Sequence, residues 1–199
     1  MESVFQIAIV VMSVVIHEVS HGFMARYLGD NTAEYAGRLT LNPIKHADLF
    51  GSIIVPGLLA LSKSDFLIGW AKPVPVNTYN LKNQKWGEAL VAFAGPLSNI
   101  VVAVFFGLVL RFGLIPENAI NIVVLIVVIN LGLAFFNLVP IPPLDGSKIL
   151  FSFLPFRFLW IREHLERYGL FLALFFAFFL WQYFYPLIMW AFKLIIGSA

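Results

Sequence analysis

Long apolar runs alternate with short polar segments along the chain, and the long runs predict helices that cross a membrane. A bilayer core of about 30 Å requires about 20 apolar residues in a helix. Residues 4–27, 88–112 and 119–155 reach this length, and residues 169–196 form a last long apolar segment. Residues 49–61 are apolar but number only about 13 and contain glycine and proline, so we expect a re-entrant or shallow element there.

Proline residues interrupt two of these helices. Pro140, Pro142 and Pro143 follow Asn137 and cannot stay helical, because proline lacks an amide donor and clashes with the preceding turn. Irregular backbone at membrane depth is tolerated only where it is buried in protein or lines a wet cavity. We therefore expect the break to border a cavity or to pack inside the protein. Pro186 is expected to bend the last segment or to split it into two short helices.

Two polar stretches after the first helix favour extended backbone. Residues 32–43 show partial alternation of Tyr, Thr and Leu ahead of an Asn-Pro pair, which predicts short strands or a hairpin. Residues 69–77 contain Pro73 and Pro75, and the residue before a proline prefers an extended conformation. Either stretch could pair with an unwound peptide as an added strand. An interfacial loop anchored by Trp70 explains residues 69–77 equally well.

Composition indicates the same class of protein. Of the 199 residues, 60% are hydrophobic and 12% are charged, and the mean hydropathy is +0.88. The sequence therefore predicts one domain over residues 1–199. We expect an all-α polytopic membrane protein with five to six transmembrane or re-entrant segments and a short β element after the first helix. No small-residue cleavage site follows the first apolar run, so we expect that helix to be retained.

The distribution of basic residues predicts the orientation in the membrane. If residues 49–61 dip and return, the ten basic residues between positions 26 and 85 and in the charged loop 157–167 share one face. The opposite face then keeps little beyond Arg111 and Lys193, and both termini lie outside. A full crossing by residues 49–61 leaves only a weak bias. We therefore expect the dip-and-return arrangement, with the main loops in the cytoplasm. The net charge of +2 is too small to indicate nucleic-acid binding.

A His-Glu-x-x-His motif lies near the end of the first helix, at His17, Glu18 and His21. Residues four apart share one helix face, so the two imidazoles can present nitrogens to one point. Glu18 is rotated by about 100° and can act as general base on a metal-held water while staying outside the ligand sphere. An ordinary buried histidine is the plainer alternative. Three ionisable groups in a lipid-spanning helix argue against it, because they are costly there and mark function.

The third metal ligand has to come from elsewhere, because a catalytic zinc usually has three protein ligands and one open position. The chain has no cysteine, so the donor must be His, Asp or Glu. Asp145 is the candidate, since it follows the proline break between apolar helices and Gly146 permits close backbone approach. The alternative is that Asp145-Gly146 is only a turn and helix cap. His46 is a rival third ligand.

Two separated motifs resemble the site-2 protease family of intramembrane zinc metalloproteases. They are His17-Glu18-Val19-Ser20-His21 and the stretch from Asn137 to Gly146. Residues 94–99 and 69–77 also resemble segments of its short prokaryotic members, which lack a PDZ or CBS domain, and the resemblance extends to about Leu150. Asn99 within the first of these segments is interpreted as forming a helix-to-helix hydrogen bond.

The resemblance implies a three-helix catalytic core within the membrane. In that core His17, His21 and Asp145 would bind one zinc ion per chain, and Glu18 would be the general base and acid. The resemblance also implies that Asn137 lies in the cleft and helps to hold the substrate or the developing oxyanion. We assign Pro143, in the same motif, to substrate binding as well.

The predicted function is hydrolysis of a peptide bond in or near the transmembrane segment of membrane-anchored substrates, as in regulated intramembrane proteolysis. The predicted partners are a transmembrane protein substrate and membrane lipid, with no nucleic acid. The expected location is a cell membrane, crossed several times, with the active site nearer the cytoplasmic face. A metal-binding transporter or channel is the alternative, because broken helices and midplane polar residues occur there too. A base such as Glu18 beside two histidines favours the protease.

Overall fold

The computed structural model describes residues 2–48, 51, 54, 71–155 and 159–197, and these residues are mainly helical. Helices suit this sequence because a backbone in lipid must satisfy its own hydrogen bonds. The helices are α1 (Glu2–Tyr27), α2 (Thr32–Tyr35), α3 (Gln84–Arg111), α4 (Ile120–Asn137), α5 (Asp145–Phe153), α6 (Leu159–Phe175) and α7 (Tyr185–Ile196).

Helix α3 is the centre of the bundle and contacts α1, α4, α5 and α7. Small buried residues on α3, such as Ala92 and Ala103, allow the neighbouring backbones to approach closely. Asn83 caps the start of α3, since its side chain accepts a hydrogen bond of 3.1 Å from the Trp86 amide. An apolar core joins α3, α4 and α7 and consists of Ala103, Val127, Leu131, Ile188, Ala191 and Phe192.

Four helical segments in the described part of the chain are long and apolar enough to cross a membrane. Large apolar side chains point outward from these helices, for example Ile7, Phe105 and Leu194, which are 60%, 60% and 64% exposed. Apolar patches of this extent are unusual on a protein surrounded by water and suit contact with lipid. The chain is therefore an all-α, multi-pass membrane protein. The segments are Phe5–Tyr27, Trp86–Arg111, Glu117–Asn137 and Trp160–Ile196.

The predicted short β element after the first helix is wrong for the residues that the structure describes. The stretch 32–43 begins with the one-turn helix α2 and ends where a 3₁₀ turn, Pro43–His46, starts, with no strand in between. Asp30 is the physical reason, because its side chain accepts from the amide and hydroxyl of Thr32 and turns the backbone into α2. Partial alternation of residue types does not outweigh this local hydrogen-bonded turn.

The charged stretch 157–167, predicted as a loop, is helical from Leu159 onward. Arg162 stabilises the helix through a bond of 2.8 Å to Glu166, one turn later, and contacts Glu88 of α3 at 3.1 Å. The break in the last segment precedes Pro186. A π turn at Phe176–Leu180 and a 3₁₀ turn at Trp181–Phe184 separate α6 from α7, and Pro186 lies in the first turn of α7.

The proline-rich stretch after Asn137 connects α4 to α5 without helical structure. It folds back tightly, and a Cβ on Gly146 would collide with the backbone of Leu138 and Val139. Only glycine permits this approach, which places the first turn of α5 directly against the end of α4. Asp145, the residue before this glycine, is thereby directed into the bundle.

The end of α1 and the start of α3 lie side by side. The Lys82 amide donates to the Leu28 carbonyl at 3.0 Å, and Asp30 accepts from the Asn77 amide at 2.7 Å. The chain therefore leaves α1 and enters α3 on the same face of the bundle. The predicted re-entrant element at residues 49–61 lies outside the described residues, apart from positions 51 and 54.

Candidate metal centre

His17 and His21 lie one turn apart on α1 and converge on one point. Both are buried, being 5% and 8% exposed. Their Nε2 atoms are 3.1 Å apart, and the two rings meet edge to face with centroids 4.6 Å apart. The four-residue spacing of the motif is what places both imidazoles on the same helix face.

Asp145 completes a triangle with the two histidines, although it lies 128 residues after His17. Its Oδ2 atom is 3.1 Å from Nε2 of His17 and 3.2 Å from Nε2 of His21. Asp145 is 6% exposed and is the first residue of α5. Three potential ligand atoms from two helices distant in sequence therefore stand at nearly equal separations inside the bundle.

The hydrogen bond made by Nδ1 of each ring determines whether Nε2 carries a proton. Nδ1 of His21 donates to the Val91 carbonyl at 2.7 Å, and Nδ1 of His17 donates to Oδ1 of Asn99 at 2.7 Å. A neutral imidazole with a proton on Nδ1 has a lone pair on Nε2. Two such lone pairs and a carboxylate oxygen therefore face one another, an arrangement that suits a metal cation between them.

The triangle has the dimensions of one face of a zinc coordination tetrahedron. Zinc binds histidine nitrogen and carboxylate oxygen at about 2.0–2.1 Å, so tetrahedral neighbours are about 3.3–3.4 Å apart. The observed separations are 3.1–3.2 Å. The donor set of two imidazoles and one carboxylate also suits zinc and leaves the fourth position open, as in catalytic sites. The residues present therefore fit a zinc ion.

Glu18 stands beside this triangle. Its Oε2 atom accepts a hydrogen bond of 2.9 Å from the Val74 amide, and its carboxylate lies within 4.8 Å of ligand atoms of both histidines. Glu18 could thus be a rival third ligand, but Asp145 is already in direct contact with both Nε2 atoms. Glu18 therefore lies next to the triangle and within hydrogen-bonding reach of a water bound there.

Gly95 of α3 packs directly against the two imidazoles. A Cβ at this position would lie 2.5 Å from Nε2 and Cε1 of His21 and 2.6 Å from Cε1 of His17. Any larger residue would therefore push the rings apart. The absence of a side chain at Gly95 is what lets α1 and α3 enclose the ligand atoms so closely.

A cavity of about 340 Å³ opens onto the triangle and Glu18. Asn137 and Pro143, predicted to bind substrate, both line it. The side-chain Nδ2 of Asn137 donates to the Leu133 carbonyl of the same helix at 3.0 Å. Their proposed contact with substrate stays a prediction. The remaining lining residues come from the extended segment after residue 71 and from the starts of α3 and α5, and include Pro73, Val74, Val76, Thr78, Glu88, Val91 and Lys148.

His46 does not join the cluster. It is 1% exposed, its Nε2 donates to the Thr40 carbonyl at 2.8 Å, and its own carbonyl accepts from the Lys72 amide at 2.9 Å. Sequence reasoning also missed several neighbours of the site. Gly95 and Val74 lie in the two segments that the resemblance singled out, but their contacts with the motif depend on tertiary packing.

Comparison with known proteins identifies relatives over most of the chain. The model of a family described as peptidase family M50 matches residues 5–116 and 113–180. YwhC of Bacillus subtilis, which carries the name of a zinc metalloprotease, is 40% identical over 154 residues, or 73% of this chain and 67% of YwhC. No solved structure matches the chain closely enough to count as a relative.

Two more distant relatives also carry zinc metalloprotease names. Rip2 of Mycolicibacterium smegmatis is 32% identical over 142 residues, which cover 70% of this chain and 53% of Rip2. MJ0611 of Methanocaldococcus jannaschii is 35% identical over 141 residues, which cover 68% of this chain and 63% of MJ0611. The matches therefore span between about half and two thirds of these proteins.

Proposed function

The chain belongs to peptidase family M50 and is a zinc metalloprotease, and from this premise we propose that it hydrolyses peptide bonds within or near the transmembrane segment of membrane-anchored proteins. The observation that carries the proposal is the triangle of His17, His21 and Asp145 inside a bundle of membrane-crossing helices. A metal-binding transporter or channel does not fit a member of a peptidase family.

We assign His17, His21 and Asp145 to the binding of one zinc ion. When bound, the zinc supplies Lewis acidity, which polarises a carbonyl and makes water more acidic. Glu18 is the general base and acid, because its carboxylate lies within 4.8 Å of ligand atoms of both histidines, where it could reach a water at the open position. The Val74 amide holds Oε2 of Glu18, which fixes the direction of the carboxylate and leaves Oε1 to accept the proton.

Asn137 and Pro143 are assigned to substrate binding. They lie at the end of α4 and in the loop before Asp145, and both border the cavity next to the ligand atoms. A peptide in this cavity would pass within reach of the Asn137 carboxamide, which can hydrogen-bond a substrate carbonyl. A helical substrate must unwind locally before such contacts form, because its carbonyls are engaged in intrahelical bonds.

Residues 71–77 form one wall of the cavity and are held within the chain. Arg38 donates to the Lys72 carbonyl at 2.6 Å, and the amides of Lys72, Val74 and Asn77 donate to His46, Glu18 and Asp30. Pro73 and Pro75 have no amide donors. This described part of the segment has few donors left for an added strand, so we place the unwound substrate between this wall and Pro143.

The site lies toward the basic face of the bundle. His21 is six residues before Tyr27, which ends α1, and this corresponds to about 9 Å along the helix axis. Arg26, Arg38, Lys72 and Lys82 lie at this end, in or next to the connection between α1 and α3, and the positive-inside rule assigns such basic segments to the cytoplasm. We therefore propose that the protein lies in a cell membrane and that water and product exchange with the cytoplasm.

The proposal is tested with Glu18→Gln in purified protein reconstituted into lipid vesicles. The probe is a reporter with one transmembrane segment between two soluble tags, and cleavage sites are mapped by mass spectrometry. We expect Glu18→Gln to retain zinc and to lose cleavage by about 10²–10⁴-fold, because general base catalysis is removed. His17→Ala is the control and should lose zinc as well. Turnover by Glu18→Gln at the wild-type rate, or cleavage confined to the soluble tags, would contradict the proposal.

A further inference from the structure

A chain of buried polar side chains runs through the middle of the helix bundle, next to the metal centre. Ser13 of α1, Asn99 of α3 and Asn130 of α4 are 4%, 0% and 0% exposed. Each lies within an apolar membrane-crossing helix, where an unpaired amide is costly. The peptidase chemistry described above uses none of them directly, although Asn99 contacts His17.

Two backbone carbonyls fix the direction of every hydrogen bond among these three side chains. Nδ2 of Asn130 donates to the Ile126 carbonyl at 2.9 Å and to Oγ of Ser13 at 2.9 Å, which leaves Oδ1 of Asn130 as an acceptor. Nδ2 of Asn99 donates to the Ser13 carbonyl at 3.2 Å and to Oδ1 of Asn130 at 2.9 Å. A carbonyl can only accept, so neither amide can be reversed without losing a buried bond.

The orientation of the Asn99 side chain determines the tautomer of His17. With Nδ2 committed to the Ser13 carbonyl and to Asn130, Oδ1 of Asn99 must face Nδ1 of His17, at 2.7 Å. An acceptor at this position requires the proton of the imidazole on Nδ1, and Nε2 is then the unprotonated atom that faces His21 and Asp145. The bond also fixes the rotation of the ring about its own axis.

We propose that Asn99 is a positioning residue of the metal centre, which holds His17 in the tautomer and orientation that bind zinc. The proposal rests on the assignment of His17 as a zinc ligand under the proposed function. Asn130 and Ser13 act on Asn99 and do not touch the imidazole. Removal of Asn99 therefore lowers zinc affinity directly, whereas removal of Asn130 mainly weakens contact between the helices.

The test compares Asn99→Leu with Asn130→Leu in the purified full chain in detergent. Both substitutions replace a buried amide with an apolar group of similar size and remove hydrogen bonds between helices. Zinc affinity is measured by competition with a chromophoric chelator, and the melting temperature is measured on the metal-free protein. We expect Asn99→Leu to bind zinc about 10–100-fold more weakly, as is typical for loss of a partner that orients a ligand. Asn130→Leu should lower the melting temperature comparably and leave zinc affinity nearly unchanged.

Asn99→Asp supplies the rescue. Its carboxylate keeps an acceptor for Nδ1 of His17 but cannot donate to the Ser13 carbonyl. We expect zinc affinity close to wild type and a visible spectrum of the Co²⁺-substituted protein that matches the wild type, while Asn99→Leu alters that spectrum. If Asn99→Leu does not fold, Asn99→Ala is compared with Asn130→Ala, and the first should bind zinc more weakly.

Equal zinc affinity for Asn99→Leu and the wild type would overturn the proposal, as would equal losses in the two leucine variants. In the fallback comparison, equal zinc affinity for Asn99→Ala and Asn130→Ala would overturn it. His17→Ala separates the two levels of inference. If that variant still binds zinc with full affinity, the assigned metal centre is wrong; if it loses zinc while Asn99→Leu does not, only the role of Asn99 is wrong.

Discussion

Asp30 and Asp145 are two buried carboxylates with opposite surroundings. Asp30 follows α1, is 0% exposed and accepts four hydrogen bonds, from the amide and hydroxyl of Thr32, the Asn77 amide and the Asn80 side chain. Each of these four groups is a hydrogen-bond donor. Asp145 is 6% exposed, and its Oδ2 faces the Nε2 atoms of His17 and His21. In both of these rings the proton is on Nδ1, which donates to Asn99 or to the Val91 carbonyl.

The difference shows that burial of a carboxylate does not by itself identify a metal ligand. The donors around Asp30 satisfy it and tie the end of α1 to the segment that precedes α3, so its role is structural. Lys148 is also close to Asp145, with its Nζ 3.6 Å from Oδ1, but Oδ2 faces the Nε2 atoms of His17 and His21. The two sites differ in their neighbours: Asp30 faces hydrogen-bond donors, whereas Oδ2 of Asp145 faces imidazole nitrogens without a proton.

The largest expected effect comes from exchanging each carboxylate for its amide. Asp145→Asn should lower zinc affinity by more than the roughly 10–100-fold that loss of an outer partner costs, and should abolish cleavage of the transmembrane reporter. Asp30→Asn should leave zinc affinity unchanged but lower the free energy of unfolding by about 1–3 kcal/mol, because it leaves buried donors without a partner. Chelator competition and melting of the metal-free protein measure the two quantities.

These two variants are controls for each other, because each removes one buried charge without changing the size of the side chain. The comparison predicts a crossed result, with zinc affinity lost in one variant and stability in the other. If Asp30→Asn loses zinc as strongly as Asp145→Asn, the two carboxylates do not differ in the way proposed here. Full zinc occupancy in Asp145→Asn would direct attention to Glu18 as the third ligand, since it also lies within 4.8 Å of the histidines.

A smaller effect is expected from the glycine that covers the imidazoles. Gly95→Ala places a methyl group about 2.5 Å from the His21 ring, so we expect weaker zinc binding, by about 10-fold or more if a ring shifts. Gly132→Ala is the matched control, since its methyl group would approach nothing described closer than 3.9 Å and glycine disfavours a helix interior. Chelator competition on both variants checks this, and equal affinities would show that the site is not tightly enclosed.

Local parts of the fold and the site could be predicted from the sequence. The spacing of His17 and His21 fixes their shared helix face without any knowledge of the tertiary structure. Apolar runs locate α1 and α3, whose observed bounds, Glu2–Tyr27 and Gln84–Arg111, differ by a few residues from the predicted ranges. The proline cluster likewise requires a break after Asn137, because the missing amides cannot be replaced within a helix.

Contacts between distant segments could not be predicted in the same way. The bond from Val74 to Glu18 joins residues 56 apart, and the bond from His17 to Asn99 joins residues 82 apart. Neither leaves a periodic pattern in the sequence. The erroneous β element has a related cause, because a single side chain, Asp30, both starts α2 and accepts from Asn77, which lies 47 residues later.

The smallest expected effect is the acid dependence of stability at Asp30. Burial alone raises the pKa of this carboxyl, but the hydrogen bonds from Thr32, Asn80 and Asn77 lower it more, so its pKa lies below the ordinary value of 3.8. A group whose pKa is lower in the folded state stabilises the protein above its unfolded pKa, and this contribution is lost as the pH falls through the folded value. The difference in melting temperature between metal-free wild type and Asp30→Asn should therefore be constant from neutral pH down to about pH 5 and should narrow below about pH 4. Other carboxylates titrate equally in both proteins and cancel in the difference. A difference in melting temperature that stays constant or widens in acid would mean that the charge of Asp30 contributes nothing to its structural role.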